Sequence, residues 1–451
     1  MMRRIRTIAI ILCISLLLPF MFVSCGKTPK TAEDLIERVE EAMDAADSYE
    51  QDIEMDIEVW VSGTKMALDA IGKGILIDTK DDYYYYNKMY MEMTVGNSTV
   101  PQTSSALEVY DGGNAYFLNE EGGKVSGKYT EVSAEDHKAY VEDGGDVEDY
   151  IYDCETKEFS KNEDGSWKLV LSDYSDEALE GIYDKAGLSL IFDAGAIRDV
   201  ETELLIDGDF HVLEYELKFR FNSDDDGNKP RAVIKTEFSK YGDAERKELE
   251  TEEYKKVKDL IPMKMLGRTL DRLVTRRDAT ARLKINQSIS NQSGKETYSQ
   301  SETDTIKYGV RDDKFFFDMT ATINGENVRI TYEDGKQTTK ANSRSETTEM
   351  EELVAKNTVK KILDCTGYDA DSVKSFEDMG NGVYEVKLDK KDAEEYKNAF
   401  GKNTKIHYAE LTATYTLKDG EIVSIEAKGD IRGAAGSTAY TLDIHISLVF
   451  E

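Results

Sequence analysis

The chain has 451 residues, of which 40% are hydrophobic and 26 are tyrosine, so it carries enough apolar material to bury a core. Its formal net charge of −33 argues against nucleic acid as a partner, because nucleic-acid binding needs a basic footprint. Four cysteines in a chain of this length are too few for a disulfide-stabilised scaffold.

The first 24 residues have the pattern of a secretory signal peptide. Arg3, Arg4 and Arg6 form a basic start, and an apolar run covers 8–22. The run is shorter than the roughly 18 apolar residues expected of a membrane span. We therefore expect export, followed by removal of residues 1–24.

The segment Phe22-Val23-Ser24-Cys25 resembles the lipobox of bacterial lipoproteins. The resemblance implies that Cys25 carries a diacylglyceryl group and that residues 25–30 form a short tether to the membrane. Two acyl chains anchor a protein stably, whereas one chain holds it only marginally. The alternative is an ordinary secreted protein with a free cysteine near its new N-terminus.

Three sequence patterns occur twice in the same order, which indicates an internal duplication. They are Asp81–Tyr86 with Asp312–Phe317, Gly165–Leu171 with Gly382–Leu388, and Leu205–Phe210 with Leu417–Ile422. The repeat predicts two tandem domains, 31–243 and 244–451. Cys154 and Cys365 occupy similar places in the two copies, where they either pair or form two separate buried thiols.

Each copy is predicted to open with a helix and continue with alternating strands. In the first copy, Leu35, Ile36, Val39 and Met43 recur at helical spacing. The next segment predicts an antiparallel strand with one apolar and one solvated face, formed by Ile53, Met55, Ile57, Val59 and Val61 against Glu50, Asp52, Glu54, Asp56 and Glu58. Further helices are expected at 133–153, 175–185, 245–277, 349–363 and 391–399.

This order of elements resembles the LolA-like fold of outer-membrane lipoprotein carriers and mycobacterial lipid-binding lipoproteins. The resemblance implies an α+β protein with two tandem curved antiparallel sheets (half-barrels), each with an N-terminal helix and inserted plug helices. Many lipoproteins of Gram-positive bacteria open with the same lipobox, short helix and acidic strand. We therefore expect an extracytoplasmic, membrane-anchored binding protein.

The resemblance implies a lipid-like, apolar or amphipathic ligand held between sheet and helices. Candidate lining residues are Ile53, Met55, Ile57, Tyr215, Phe219, Leu411, Tyr415, Leu442 and Ile444. A closed core would need the same residues, so a non-enzymatic interaction or scaffolding module is the alternative. An inhibitor or sensor domain of an envelope system is a third hypothesis.

Catalytic and cofactor motifs are absent from the sequence. None of the four histidines belongs to a zinc-binding or nucleophile motif, and no phosphate-binding pattern occurs. Counted from Asp224, the positions at which an EF-hand loop requires glycine and glutamate hold Lys229 and Lys235, so we interpret the acidic loop 224–228 as a hairpin turn. We expect no enzymatic activity, no metal and no cofactor.

A basic stretch from 255 to 284 interrupts the acidic sequence. Arg268, Arg272 and Arg276 lie in it at helical spacing, beside an apolar stripe. One hypothesis is a contact with anionic lipid head groups or wall polymers, worth about 1 kcal/mol per basic residue near such a surface. The alternative is a helix whose polar face balances acidic neighbours.

Overall fold

The structure is a computed structural model that describes most of the chain from residue 28 to residue 451. The described part excludes 62–63, 97, 99–100, 145–147, 176–177, 180, 183–196, 222–229, 250–253, 277, 292, 295, 312–313, 324–325, 342–343, 351, 371, 391–403 and 436–437. The predicted signal peptide, Cys25, the 224–228 loop and the 391–399 helix therefore lie outside the described residues.

The first half of the chain forms a twelve-stranded sheet. Its strands are β1 Ser48–Val61, β2 Thr64–Asp78, β3 Tyr83–Val95, β4 Gln102–Asp111, β5 Asn114–Glu121, β6 Lys124–Glu131, β7 Cys154–Lys161, β8 Trp167–Tyr174, β9 Ile197–Ile206, β10 Val212–Phe221, β11 Arg231–Ser239 and β12 Lys255–Lys256. The spatial order is β12-β6-β5-β4-β3-β2-β1-β11-β10-β9-β8-β7.

The second half forms an eleven-stranded sheet. Its strands are β13 Asp278–Asn291, β14 Glu296–Arg311, β15 Lys314–Ile323, β16 Glu326–Glu333, β17 Lys336–Ala341, β18 Arg344–Glu349, β19 Val373–Gly380, β20 Val383–Asp389, β21 Thr404–Lys418, β22 Glu421–Ala435 and β23 Thr438–Phe450. The order β18-β17-β16-β15-β14-β13-β23-β22-β21-β20-β19 repeats that of the first sheet without β12.

Helices occupy equivalent places in the two halves. Before each sheet lie α1 (Ala32–Asp44) and α4 (Leu260–Asp271), the latter continued by a 3₁₀ turn at Arg272–Thr275. After the sixth strand come α2 (Ala134–Gly144) and α5 (Glu352–Leu363), and α2 is followed by the short α3 (Glu148–Ile151). The predicted helix at 245–277 begins only at Leu260, because the strand β12 precedes it and residues 244–249 form neither a helix nor a strand.

The alternating pattern of β1 produces the face that it predicts. Ile57 and Val59 are buried, whereas Asp52 and Glu54 are exposed on the other face. Glu50 differs from the prediction, because it is only 2% exposed. Its carboxylate lies 3.1 Å from Lys73 Nζ and 2.9 Å from Lys240 Nζ, so two cations compensate the burial of this charge.

One helix packs against both halves of the protein. Leu260 and Ile261 of α4 belong to a hydrophobic cluster with Tyr110, Phe117 and Tyr140 of the first half. Other residues of the same helix and its 3₁₀ extension pack into the core of the second half: Met263, Leu266, Leu270 and Leu273. The adjacent β12 pairs in parallel with β6 and extends the first sheet.

Two large antiparallel sheets with accompanying helices confirm the α+β prediction, with β12 as a short parallel addition. The half-barrel curvature stays a prediction. Among the residues that the structure describes, no helix combines the length and apolar character needed to cross a membrane.

The shared cluster should couple the stability of the two halves. Ile261→Ala removes a side chain that is 3% exposed, and we expect it to lower the free energy of unfolding by about 2–5 kcal/mol. In differential scanning calorimetry, the two halves of the Ile261→Ala variant should also unfold in separate transitions. Val354→Ala, at a side chain 46% exposed, is the control and should change stability by less than about 0.5 kcal/mol. Equal effects of the two variants would contradict the coupling.

Candidate functional site: the cavity beside the first helix

A cavity of about 480 Å³ lies where α1 passes over β9 and β10, beside α3. Its volume falls in the range of roughly 300 to 1,000 Å³ that is typical of small-molecule sites. The apolar lining residues are Val39, Met43, Ile151, Leu204 and Val212, and the polar or amphipathic ones are Glu40, Asp44, Tyr152 and Tyr215.

The sequence of α1 positions this helix over the sheet. Thr31 caps the helix, since its side-chain oxygen accepts a hydrogen bond from Asp34 N at 3.1 Å. Leu35, Ile36 and Val39 are buried on one face and attach the helix to the first core. Continuing the same face by one turn brings Met43 to the cavity.

The cavity has an apolar floor and an acidic rim. Leu204 and Val212 are at most 4% exposed and form the floor on the sheet, whereas Glu40 and Asp44 are exposed on the outer side of α1. Tyr241 lies at the Met43 side, where its hydroxyl donates to the carbonyl oxygen of Val212. Such a lining suits a molecule with one apolar and one polar part.

Among the predicted lining residues, Tyr215 lies at this cavity. Ile53 and Met55 are half-buried on β1. The remaining residues of the first set, Ile57 and Phe219, are 0% and 4% exposed within the first core. Sequence periodicity places all of them on one face but does not show which ones the helix leaves uncovered.

In the second half, the predicted lining residues pack into the core. Leu411, Tyr415 and Leu442 are at most 1% exposed, and the Tyr415 hydroxyl lies 2.7 Å from Thr366 Oγ1. Ile444 borders a wider groove of about 600 Å³ that crosses four strands. The groove is mostly polar, being bordered also by Asn286, Gln287, Ser288, Ser299, Gln300, Ser301, Lys428, Gly429, Asp443 and His445.

The two aromatic runs, Tyr83–Tyr86 and Phe315–Phe317, contribute to packing in the two halves. Tyr83 and Tyr85 face His137, a fully buried histidine whose Nδ1 lies 3.1 Å from the Tyr83 hydroxyl. Phe315 and Phe317 are buried in the second core. The described aromatic side chains of both runs therefore contribute to packing.

The predicted basic contact residues face the protein itself. Arg268 donates to the carbonyl oxygen of Tyr140 at 2.7 Å, with its guanidinium 4.0 Å from the centre of the Tyr140 ring. Arg272 binds the carboxylate and the carbonyl oxygen of Asp143. These two arginines thus join α4 and its 3₁₀ extension to α2 of the first half.

Arg276 also has partners within the protein, but they lie in the second half. It donates to the carbonyl oxygen of Ile422 at 2.9 Å and lies 3.2 Å from Glu421. Binding of an anionic surface by this stretch stays a prediction. The three arginines have internal roles that a sequence cannot show, because their partners come from distant segments.

Cys154 and Cys365 are both free thiols. Burial raises the pKa of the Cys365 thiol to about 12, and it raises the pKa of Cys154 as well. Both thiols therefore stay protonated and unreactive near neutral pH. Within the described ranges, no group of three or more histidine, cysteine or acidic side chains has a metal-binding arrangement.

No protein-family model matches the chain, and no curated protein is similar to it at a significant level. Structural neighbours include a proposed outer membrane protein of Bacteroides fragilis, with 10% identity, 90% of this chain and 98% of that chain covered, and a TM-score of 0.20. A proposed AttH protein of Nitrosomonas europaea has 8% identity, coverage of 90% and 93%, and a TM-score of 0.14.

A third neighbour is the beta domain of the Bordetella autotransporter BrkA, with 7% identity, coverage of 89% and 98%, and a TM-score of 0.11. Scores this low do not reflect a shared backbone arrangement, so no functional argument rests on them. The LolA-like resemblance stays a prediction.

Because Arg268 and Arg272 have structural partners, substituting them would destabilise the protein and cannot test binding to an anionic surface. Arg268→Glu with Arg272→Glu should lower the free energy of unfolding by about 2 kcal/mol or more, since each new carboxylate would face a carbonyl oxygen or Asp143. Chemical denaturation measures this effect. Lys255→Glu with Lys258→Glu alters exposed lysines instead, Lys258 being 91% exposed, and should leave stability within about 1 kcal/mol.

Vesicle binding should then be compared between wild type and the lysine variant. Loss of binding to anionic vesicles by this stable variant would support a surface contact. Unchanged binding would show that these exposed lysines do not contact anionic vesicles.

Proposed function

We propose that the protein is a non-enzymatic, lipid-anchored extracytoplasmic binding protein for an amphipathic ligand. The observation that carries the proposal is the 480 Å³ cavity between α1 and the first sheet. Its apolar floor would hold the aliphatic part of the ligand, and its open rim would leave the polar part in water.

The energetics favour a short or partly inserted apolar chain. Burying aliphatic surface contributes about 0.8 kcal/mol per CH₂ group, so each methylene that enters the cavity beside Leu204 and Val212 would add to the affinity. Met43 suits such a site, because its flexible thioether adapts to ligands of different shape. The exposed Glu40 and Asp44 would disfavour an anionic head group.

Anchoring through Cys25 belongs to the same proposal and rests on the lipobox and the signal-peptide pattern. It would hold the cavity close to a membrane, because only a few residues separate Cys25 from the start of α1. A membrane is a source of amphipathic ligands, so anchoring and binding support one another.

The closed packing of the second half favours the alternative, a scaffolding module. Leu411, Tyr415 and Leu442 leave no apolar cavity at their own positions. Under this alternative, the first-half cavity stays empty and the protein acts through its surface.

Ligand uptake by a cavity-filling variant separates the two hypotheses. Soluble protein from Lys27 to Glu451 is offered labelled membrane lipids, and native mass spectrometry measures bound mass. Met43→Trp should reduce uptake at least about tenfold, because the indole occupies the cavity. Glu41→Trp adds the same side chain at an exposed position of α1 that does not line the cavity, and should bind like wild type.

A clean unliganded mass for wild type after exposure to lipids would overturn the binding proposal. Equal uptake by wild type and both variants would show that any lipid binds elsewhere. In the expected case, extraction with organic solvent identifies the ligand.

A further inference from the structure

Four side chains with polar groups follow one another along one face of β14. Tyr298, Gln300, Glu302 and Asp304 are two residues apart, so they share the face that Ile306 and Tyr308 continue into the second core. Exposure falls along this row from 43% at Tyr298 to 3% at Asp304. The row therefore leads from the solvent to the edge of the core.

The equivalent face in the first sheet is apolar. β1 and β13 are the central first strands of the two sheets, and aligning their ends matches Ile57 to Gln287. β2 pairs with β1, and β14 pairs with β13. In this alignment Leu68, Ala70 and Gly72 of β2 correspond to Gln300, Glu302 and Asp304 of β14. The fold does not require polar groups at these positions, since one of its two copies does without them.

Asp304 is the least expected member of the row. Its Oδ1 atom has no hydrogen-bond partner among the described residues, although the residue is only 3% exposed. A buried acceptor without a partner costs free energy, and native proteins rarely keep one without a reason. The Oδ1 atom could therefore accept a hydrogen bond from a ligand.

The neighbouring strand also differs between the two copies. Asp304 lies opposite Ala321 on β15, whereas Gly72 lies opposite Met89, whose Cε atom is 3.0 Å from the position that a Cβ atom would take at that glycine. A larger apolar side chain at position 304 would pack above Ala321 at lower cost than a carboxyl group.

The electrostatics of the row depend on its two carboxyl groups. Burial, with smaller contributions from the charge of Glu302 and from a side-chain hydrogen bond with Glu302, raises the pKa of Asp304 to about 7. Its ladder neighbours Leu283 and Ala321 are apolar, so Glu302 is the charged group that faces it in the described structure. Beyond Glu302, the Nε2 of Gln287 donates to Oε1 of Gln300 at 3.1 Å.

We propose that this row is a binding site for a protonated amine on a short alkyl chain. Ionised carboxylates only accept hydrogen bonds, and an ammonium group only donates them. Ile285 and Leu283 on the adjacent strand would contact the alkyl part. A divalent cation fits less well, because calcium takes six to eight oxygen ligands and magnesium needs an octahedron.

The proposal is tested with n-hexylamine as probe and n-hexanol as its uncharged match, by calorimetric titration of the chain from Lys27 to Glu451. We expect saturable amine binding that is at least about tenfold weaker in Asp304→Asn and in Glu302→Gln. Asp318→Asn, at a carboxyl on the opposite face of β15, should bind like wild type. All titrations are made in the Met43→Trp background, in which the cavity beside α1 is filled, so that the amine binding measured there reports the β14 row and not the cavity.

A pH series gives a second readout. The affinity for hexylamine should rise between pH 6 and pH 8, because Asp304 ionises in this range while the amine stays protonated. The raised pKa means that the folded protein disfavours the ionised Asp304, so Asp304→Asn should raise the melting temperature at pH 8 and leave it nearly unchanged below pH 4.

Several results would overturn the proposal. They are an absence of hexylamine binding to wild type, equal affinity for hexanol, and equal amine affinity of Asp304→Asn and wild type. Calcium binding that hexylamine does not displace would assign the carboxyl pair to a metal and would also refute it. The melting curve of each variant shows whether it is folded at the temperature of the titration.

Discussion

The packing of α4 between two hydrophobic cores is the constraint on which the two-sheet architecture depends. Leu260 and Ile261 pack into the cluster of the first half, and Leu266 and Leu270 pack into the core of the second. The helix is apolar on two sides, so neither half alone could bury it. Arg268 adds directional contacts to Tyr140 that fix the angle of approach. Two similar sheets thereby share one buried helix, α4, which packs against both of their cores.

The two halves share a strand order and differ in the surfaces that surround it. Phe117, which packs against α4 in the first half, is the fourth residue of β5, and the fourth residue of β17 is Thr339. The edge strand β18 is exposed along its whole length and carries charged and hydroxyl side chains. Such side chains protect an edge strand from pairing with another chain. Apolar residues are thus concentrated where a neighbouring element covers them.

The halves also differ in their cavities and in their buried polar groups. The first sheet has an apolar face with a cavity beside α1, and the second has a filled core with a polar row that ends at Asp304. Two copies of one strand order permit this division, because one copy can accept a destabilising group while the shared helix and the other copy maintain the fold. A buried carboxyl group lowers stability, and the amine site that we propose would account for its presence.

Much of the architecture follows from local patterns in the sequence. Period-two alternation determined the buried face of β1, helical spacing determined the buried face of α1, and the repeated motifs indicated two similar halves. These signals are readable because the side-chain direction of a strand or helix depends only on the local backbone. The tertiary structure alone decided which residues meet across long separations. It pairs Glu50 with Lys240, 190 positions away, and it directs Arg272 to Asp143 instead of the solvent. It also leaves a cavity at Met43 while closing the core at Tyr415, because cavity and core residues have the same periodicity and differ only in what covers them.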